Sequence, residues 1–287
     1  MQYLKTSNGV IIKNIDSDIN FEHTLNCGQC FRWEKKDDKY HAVVKNEHVA
    51  VYKSGSDITL ENTTIENTKN FWINYFDLNF NYRGVQKELE SIHPIFKKAY
   101  KNYSGIHILS QEPWEALCSF IISQNNNIPR IKKIINSLCT IFGEKINGTE
   151  FYTFPNHEII SRLNEKDLEP IKCGFRARYI LDAALKVSSG EIDLENLKNV
   201  NTNKAKETLM KIKGVGSKIS ECVLLYAYHK LECFPIDVWM KKIMHTVFKD
   251  QNSDIFGKYP GIAQQYLYHY VKNNPGELNL SAVGQNS

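Results

Sequence analysis

The sequence lacks the features that would place the chain in a membrane or outside the cell. No apolar run approaches the roughly 20 residues that a membrane-spanning helix needs. The first residues, MQYLKTSNG, contain no apolar signal-peptide core. The chain also has no internal repeat and no low-complexity block. We therefore expect a cytoplasmic protein with no membrane attachment.

Cysteine is scarce and irregularly spaced. The seven cysteines stand at positions 27, 30, 118, 139, 173, 222 and 233. Only Cys27 and Cys30 form a C-x-x-C pair, and no second pair or Cys/His cluster completes a zinc site. The C-terminal region also lacks the four-cysteine run that holds an iron–sulfur cluster. We expect reduced thiols, no zinc, no iron–sulfur cluster and no required cofactor.

Net charge is low, at +4, but it is unevenly distributed. Residues 201–250 hold nine lysines and five acidic residues. Clustered positive charge suits a polyanionic partner such as nucleic acid. A lysine-rich solvated face explains the same cluster equally well.

Two kinds of residue pattern divide the chain. Residues 1–60 contain short β-branched and aromatic runs at 9–12, 31–33, 40–44 and 48–52, with a hairpin connection at 45–47. From about residue 68 onward, apolar residues recur at helical spacing. The patterns predict an α+β fold, with a small antiparallel sheet followed by a mostly helical region. We place the divisions at 1–105, 106–280 (two helical subdomains) and a disordered tail at 281–287.

Several helix boundaries follow from proline, asparagine and glycine. Pro113 suits a first helical position, and the buried helix that it opens ends in the polar stretch 123–130. Further helices are predicted at 131–142 and 156–163, with a last one near 261–271. The segment 172–179 opens another helix, which ends at Gly190. Taken alone, the stretch 123–130 is more simply interpreted as a polar loop.

The most informative stretch is residues 209–237, LMKIKGVGSKISECVLLYAYHKLECFPID. A helix breaks at Gly214 and Gly216, a second helix carries Lys218, and Asp237 follows a proline at the start of a third. Two glycines in a tight hairpin let backbone N–H groups point outward together, and such a nest binds phosphate.

Lys218 and Asp237 together could carry out chemistry on a sugar. Burial beside other cations favours the neutral amine, which can attack an anomeric carbon and form a Schiff base. An ionised Asp237 at a helix N-cap would offset positive charge on that sugar and relay protons. Ser217 and Glu221 have no evident base or orienting partner. Separately, Lys218 is more simply a solvated lysine and Asp237 a helix cap.

Five segments carry a family resemblance. K-G-V-G-S-K at 213–218, followed by P-I-D-V at 235–238, is similar to the helix–hairpin–helix, glycine/proline, aspartate superfamily of DNA glycosylases. N-C-G-Q-C-F-R-W at 26–33, S-Q-N-N-N-I-P-R at 123–130 and G-F-R-A-R-Y at 174–179 narrow this to the 8-oxoguanine DNA glycosylase family. The segments lie in order, and the resemblance covers about residues 20 to 270.

The resemblance implies an enzyme that flips 8-oxoguanine out of double-stranded DNA and cuts its glycosidic bond. Lys218 would be the nucleophile, its Schiff base would also permit β-elimination at the abasic site, and Asp237 would be the catalytic carboxylate. Since one lesion needs one pocket, we expect a monomer. Its location would be cytoplasmic, at the nucleoid through DNA binding.

The resemblance also implies which residues hold the flipped base. Gly28 would accept a hydrogen bond at its carbonyl from the N7–H that 8-oxoguanine has and guanine lacks. Cys222, four residues after Lys218, would pack on one face of the base. Gln264 and Tyr268 match positions that contact and stack the base from the other side.

A further group would hold the DNA around the extrahelical base. Asn125 would fill the gap, Arg130 and Arg176 would hydrogen-bond the orphaned cytosine, and Phe175 would lie beside it. Gly214 and Gly216 would also contact the DNA. The backbone carbonyls of Met210, Ile212 and Val215 match positions that hold a monovalent cation, Na⁺ or K⁺, in the hairpin.

Three residues depart from the family pattern. Lys213 replaces the usual proline before the first glycine and could add a phosphate contact. Phe175 stands where tyrosine is common, and Trp239 where better-known members have histidine. These changes could loosen the choice of opposite base. Two other functions stay open: a superfamily enzyme for another lesion, or a non-catalytic module that uses the hairpin only to bind phosphate.

Overall fold

The computed structural model describes the fold of residues 1–278. The predicted disordered tail at 281–287 lies outside the described residues. The chain forms an antiparallel sheet followed by a larger helical region, which confirms the predicted fold class. No helix in residues 1–278 is both long and apolar enough to cross a lipid bilayer.

Six strands form one antiparallel sheet in the order β1-β2-β6-β5-β4-β3. The strands are β1 (Gln2–Lys5), β2 (Gly9–Lys13), β3 (Glu34–Lys36), β4 (Lys39–Val44), β5 (Glu47–Ser54) and β6 (Asp57–Glu61). The predicted hairpin joins β4 to β5 through Lys45 and Asn46, both at positive φ. Two such residues match the twist of the paired strands in a two-residue turn.

The predicted strand at 31–33 is wrong. These residues are irregular, and β3 begins only at Glu34. Phe31 and Trp33 are buried, and the Trp33 indole N–H donates to the Tyr75 hydroxyl at 3.0 Å. Their aromatic character therefore reflects packing on helices rather than pairing in the sheet. The sequence patterns also missed β1, β6 and the short helix at 21–26.

Helices make up most of the remaining chain. They are α1 (Phe21–Asn26), α2 (Ile65–Asn67), a π-helix (Thr68–Trp72), α3 (Ile73–Tyr75), α4 (Tyr82–Ile92), α5 (Pro94–Tyr103), α6 (Pro113–Ile122), α7 (Ile128–Phe142), α8 (His157–Ser161), α9 (Ala177–Ser188), α10 (Thr202–Leu209), α11 (Ser217–Tyr228), α12 (Val238–Phe248) and α13 (Pro260–Asn273). Single 3₁₀ turns occupy Glu169–Ile171, Gly174–Arg176, Glu195–Lys198, Ser253–Phe256 and Pro275–Leu278.

The helix boundaries follow local capping. Pro113 opens α6 as predicted, and α7 begins three residues before its predicted start, at Ile128. The reason is that the Asn127 side chain accepts a hydrogen bond from the Arg130 N–H at 3.0 Å and caps the first turn. The predicted helix at 156–163 is shorter, at His157–Ser161, and it is capped by Asn156.

The molecule has two hydrophobic cores. One lies under the sheet and includes Val51, Leu60, Trp72 and Phe76. The other joins the helices, and it already includes buried residues of α4 and α5, with α5 packing against α13. The division predicted at residue 105 stays a prediction, because this helical packing crosses it.

Candidate active site

A cleft of about 790 Å³ opens between the start of α7, the turn after α1, the hairpin before α11, and α13. We call this the central cleft. It is lined by most of the residues that were predicted from the sequence: Gly28, Asn125, Phe175, Gly214, Gly216, Lys218, Cys222, Asp237, Trp239, Gln264 and Tyr268. Arg130, Arg176, Met210, Ile212 and Val215 are not among its lining residues. Folding therefore brings together side chains that are more than 200 residues apart.

Lys218 lies in the first turn of α11, directly after the hairpin. Its side chain is half-buried and lines both the central cleft and a neighbouring groove of about 1010 Å³. In that groove Glu221 accepts hydrogen bonds from Lys206 and, at 3.3 Å, from the Ser217 hydroxyl. Glu221 is thus occupied by other groups, whereas the described residues provide no hydrogen-bond acceptor for the Lys218 amine.

Asp237 is the N-cap of α12, as the sequence indicated. Its Oδ1 accepts a hydrogen bond from the Met240 N–H at 2.8 Å. No donor among the described residues reaches Oδ2. One oxygen therefore holds the carboxylate in place, and the other is available to a ligand in the cleft.

Cys222 faces the cleft one turn after Lys218 and is buried. Burial raises the pKa of its thiol to about 11. The thiol is therefore protonated near neutral pH and offers an uncharged packing surface rather than a nucleophile.

Gly28 lies at the tip of the turn that follows α1, with φ of +90°. This is a conformation that side chains with a Cβ rarely adopt. A Cβ placed there would lie 3.5 Å from Cε1 of Tyr268, so the turn passes close to that ring. No donor within residues 1–278 hydrogen-bonds to the Gly28 carbonyl.

Gln264 and Tyr268 come from α13, one helical turn apart. Gln264 is buried, and its Oε1 lies 3.3 Å from the Tyr226 hydroxyl oxygen. Tyr268 is half-buried, and burial raises the pKa of its hydroxyl. The ammonium of Lys272 lies 5.4 Å from the centre of the Tyr268 ring, a cation–π contact that helps fix the ring.

The opposite rim of the cleft contains Asn125 and Phe175, and the buried Arg176 packs next to them. Asn125 is exposed with φ of +44°, and Phe175 is also exposed. Arg176 is only 3% exposed, and its guanidinium donates to the carbonyls of Gln124 (2.8 Å), Asn125 (2.9 Å) and Cys173 (3.1 Å). Arg176 therefore holds the Asn125 loop in this structure, and a contact with an opposite base would require these bonds to change.

The hairpin is fixed from below by α9. A Cβ on Gly214 would lie 2.4 Å from the Tyr179 ring, so only glycine fits there. The Lys213 N–H donates to Asp182 Oδ2 at 2.8 Å. This bond gives a reason for the departure at Lys213, since a proline would have no N–H to donate.

Nothing in the described part of the chain assembles a metal site from three or more His, Cys, Asp or Glu side chains. Of the three carbonyls predicted to bind a cation, that of Ile212 accepts the Val215 N–H at 3.1 Å. The cation site stays a prediction.

The sequence analysis missed Tyr226, Gln265, Gln29 and Gln111, which are buried or half-buried glutamine and tyrosine side chains around the Gly28 turn. For Tyr226 the signal that could have found it was a hydroxyl within an otherwise apolar segment, 223–228. Gln111, between Ser110 and Glu112, has no such signal. Buried polar groups of this kind are hydrogen-bonded, so they mark fixed geometry.

Two family models match consecutive parts of the chain. The 8-oxoguanine DNA glycosylase N-terminal domain matches residues 11–117. The HhH-GPD superfamily of base excision DNA repair proteins matches residues 118–254. The join falls within α6, well before the hairpin.

Individual relatives agree with these matches. An N-glycosylase/DNA lyase of Saccharomyces cerevisiae is 32% identical over 265 residues, which cover 79% of this chain and 68% of the relative. The solved structure of MBOgg1 in complex with a low-affinity DNA ligand is 38% identical, with a TM-score of 0.90 over 96% of this chain and 100% of that one. The 8-oxoguanine glycosylase/lyase of Clostridium acetobutylicum, solved with double-stranded DNA containing cytosine opposite 8-oxoguanine, is 36% identical, with a TM-score of 0.89 over 96% and 99%.

Proposed function

The chain belongs to the 8-oxoguanine DNA glycosylase family, and from this premise we propose how its own residues divide the reaction. It is a bifunctional DNA glycosylase and abasic-site lyase of base excision repair. The observation that carries the residue assignment is the convergence of Lys218, Asp237 and Gly28 on one cleft, although they come from three separate elements.

Lys218 is the nucleophile. Its neutral amine attacks C1′ of the flipped nucleoside, the bond from C1′ to N9 breaks, and the base leaves with a proton. Opening of the sugar gives a Schiff base to Lys218. Loss of a proton from C2′ then expels the 3′ phosphate by β-elimination. The position of Lys218 immediately after the hairpin supports this role, because a phosphate bound at the hairpin would bring the adjoining sugar close to the amine.

Asp237 assists both stages. Its free Oδ2 can offset positive charge at C1′ while the base departs and can then relay protons at the sugar. Its Oδ1 stays bonded to the Met240 N–H, so the carboxylate does not have to rearrange between these stages.

The base is held between two surfaces. Cys222 offers its protonated thiol on one face, and Tyr268 stacks on the other. Gly28 accepts the N7–H of 8-oxoguanine at its free carbonyl, and Gln264 contacts a polar edge of the base. A guanine in the same place would leave the carbonyl unpaired, which costs about 1–3 kcal/mol.

The partner is double-stranded DNA that contains 8-oxoguanine, bound by a monomer in the cytoplasm at the nucleoid. The seven cysteines are free and buried, which suits a reducing compartment. Gly214 and Gly216 contact a lesion-strand phosphate, with Na⁺ or K⁺ at the hairpin carbonyls. No other cofactor is needed.

On the opposite strand, Asn125 fills the vacated space, with Phe175 beside the orphaned base. Arg130 and Arg176 read that base, and Arg176 does so after exchanging its present carbonyl partners for the base. Since Phe175 lacks the hydroxyl of the more usual tyrosine, the preference for cytosine is weak. Comparable excision opposite cytosine and adenine supports this last point, whereas a strong cytosine preference contradicts it.

Borohydride trapping tests the central assignment. The intact protein should form a covalent adduct with an 8-oxoguanine duplex, and Lys218→Gln should form none. No adduct with the intact protein would contradict the Schiff base. An adduct only with a different damaged base would favour the related enzyme for another lesion. DNA binding without an adduct on any lesion would favour a phosphate-binding module.

A further inference from the structure

The Gly28 turn is held on both sides by glutamine side chains. The Gln265 side-chain amide donates from Nε2 to the Cys27 carbonyl at 3.0 Å. The Gln111 amide donates from Nε2 to the Gln29 carbonyl at 2.7 Å. The carbonyls before and after Gly28 are therefore both engaged, while that of Gly28 has no donor within residues 1–278.

Both glutamines are anchored on one residue of α11, Tyr226. The Tyr226 hydroxyl donates to Gln265 Oε1 at 2.5 Å. Its backbone carbonyl accepts the Gln111 N–H at 2.8 Å and lies 3.4 Å from the Gln111 Nε2. We call Tyr226, Gln111 and Gln265 the turn clamp.

Burial makes the clamp rigid. Tyr226 is 4% exposed and Gln265 is 1% exposed, so both side chains are shielded from bulk solvent although they line the cleft. Because Gln265 accepts at one end of its amide and donates at the other, its orientation is fixed. The Tyr226 ring also stacks on Phe120, with ring centres 5.4 Å apart, independently of the hydroxyl.

The clamp also relates the Gly28 turn to the nucleophile. Tyr226, Cys222 and Lys218 lie at spacings of four along α11, on one side of the helix. Lys218 and Tyr226 are therefore about 12 Å apart along the axis. The same helix thus presents the amine at one end and fixes the base-reading carbonyl near the other.

We propose that Tyr226 is a positioning residue for lesion recognition, which aims the Gly28 carbonyl through Gln265 and Gln111 while leaving the sugar chemistry at Lys218 untouched. This inference rests on the proposed role of Gly28. Its specific consequence is that excision of the base and cleavage at an abasic site respond differently to the same substitution, because only excision needs the base to be read.

Tyr226→Phe removes the hydroxyl and keeps the stacked ring, and Gln265→Met removes the amide with little change in length. Each should lower the single-turnover excision of 8-oxoguanine about tenfold, the equivalent of one hydrogen bond. Abasic-site cleavage should stay within about twofold of wild type. The double variant should lose no more than the worse single variant, because the two side chains act through one carbonyl.

Tyr100→Phe is the matched control. Tyr100 is a buried tyrosine whose hydroxyl has no hydrogen-bond partner within residues 1–278. The Tyr100→Phe substitution removes a buried hydroxyl that lies outside the clamp. It should leave both base excision and abasic-site cleavage unchanged.

A substrate analogue separates this inference from the role of Gly28. 7-Deaza-8-oxoguanine has carbon at position 7 and offers no N–H there. Wild type should excise it more slowly than 8-oxoguanine. The ratio of the 8-oxoguanine rate to the analogue rate should be smaller in Tyr226→Phe than in wild type. An equal ratio in variant and wild type would overturn the clamp proposal, as would a parallel fall in abasic-site cleavage. No penalty in wild type would instead contradict the assignment of Gly28.

Discussion

The two sides of the cleft are built in opposite ways. The reaction side, Lys218 and Asp237, comes from one segment of 20 residues and is held by local features, a hairpin and a helix cap. The reading side, Gly28, Gln264 and Tyr268, joins the first helix to the last. Its hydrogen bonds span as many as 238 residues of sequence.

The difference reflects what each side must do. A nucleophile and a carboxylate need access to the substrate, so both are half-buried, and each keeps an atom free of protein partners within residues 1–278. Discriminating one N–H needs a carbonyl in a fixed place, which only buried partners can provide. Substitutions on the reaction side should therefore change chemistry with little change in folding, and those on the reading side should change selectivity.

The largest effect should follow Asp237→Asn. Asparagine caps a helix about as well as aspartate, so the melting temperature should change little. Excision should fall about 10²- to 10⁴-fold, because the charge that assists the sugar is gone. Excision rates and thermal melts measure the two quantities. A melting temperature that falls with activity would mean that the reaction side is not as locally built as proposed.

On the reading side, Gly28→Ala should lower excision about 10- to 100-fold and leave abasic-site cleavage nearly intact. The added Cβ makes only ordinary contacts, so the cost is the left-handed backbone, about 1–2 kcal/mol. Gly190→Ala is the control, since Gly190 also has positive φ, +76°, and open space around it. If both variants cut abasic sites and excise the base like wild type, the turn does not read the lesion.

Lys213→Ala should have a smaller effect, confined to DNA binding. The substitution keeps the backbone N–H that donates to Asp182 and removes an exposed ammonium, together with its 3.7 Å ion pair to Asp182 Oδ1. The affinity for DNA should fall severalfold. The negative slope of log affinity against log salt concentration should become shallower by about 1. Lys198→Ala changes an exposed lysine that is not among the lining residues of the cleft, and it should leave the slope unchanged. An unaltered slope in Lys213→Ala would remove Lys213 from the phosphate contacts.

The smallest effect on activity should come from His269, on α13 behind the reading side. Burial, followed by the charges of His23 and Lys272, lowers the pKa of His269 to about 4. As the pH falls below about 6.5, His269 binds a proton in the unfolded chain, whereas in the folded chain it does so only near pH 4. Folding stability should therefore fall through this window, by about 2 kcal/mol between pH 7 and 5.

His269→Leu should remove this part of the pH dependence. Chemical denaturation of both proteins at pH 7 and 5 measures the difference. Equal losses of stability in wild type and variant would show that other groups cause the acid sensitivity.

The sequence was sufficient wherever a local rule decides the structure. Asn127 caps α7 and Asp237 caps α12, because each acts on the backbone within a few residues. The helix that was expected to break at Gly214 and Gly216 instead ends earlier, at Leu209, and the glycines lie in the turn that follows it. The reaction side could therefore be predicted nearly complete. The strand at 31–33 failed because the aromatic pattern of Phe31 and Trp33 fits burial against helices as well as it fits a sheet.

Only the tertiary structure decided the surroundings of Gly28. Nothing local pairs Cys27 with Gln265 or sets Tyr226 between two glutamines, since those contacts exist only after distant helices pack. The contacts of Arg176 also depend on tertiary structure. Its sequence motif favours a contact with an exposed base, whereas in the folded chain its guanidinium donates to carbonyls of the Asn125 loop. Local backbone preferences fix where helices begin and end, whereas the partners of buried polar groups depend on which elements the hydrophobic core brings together.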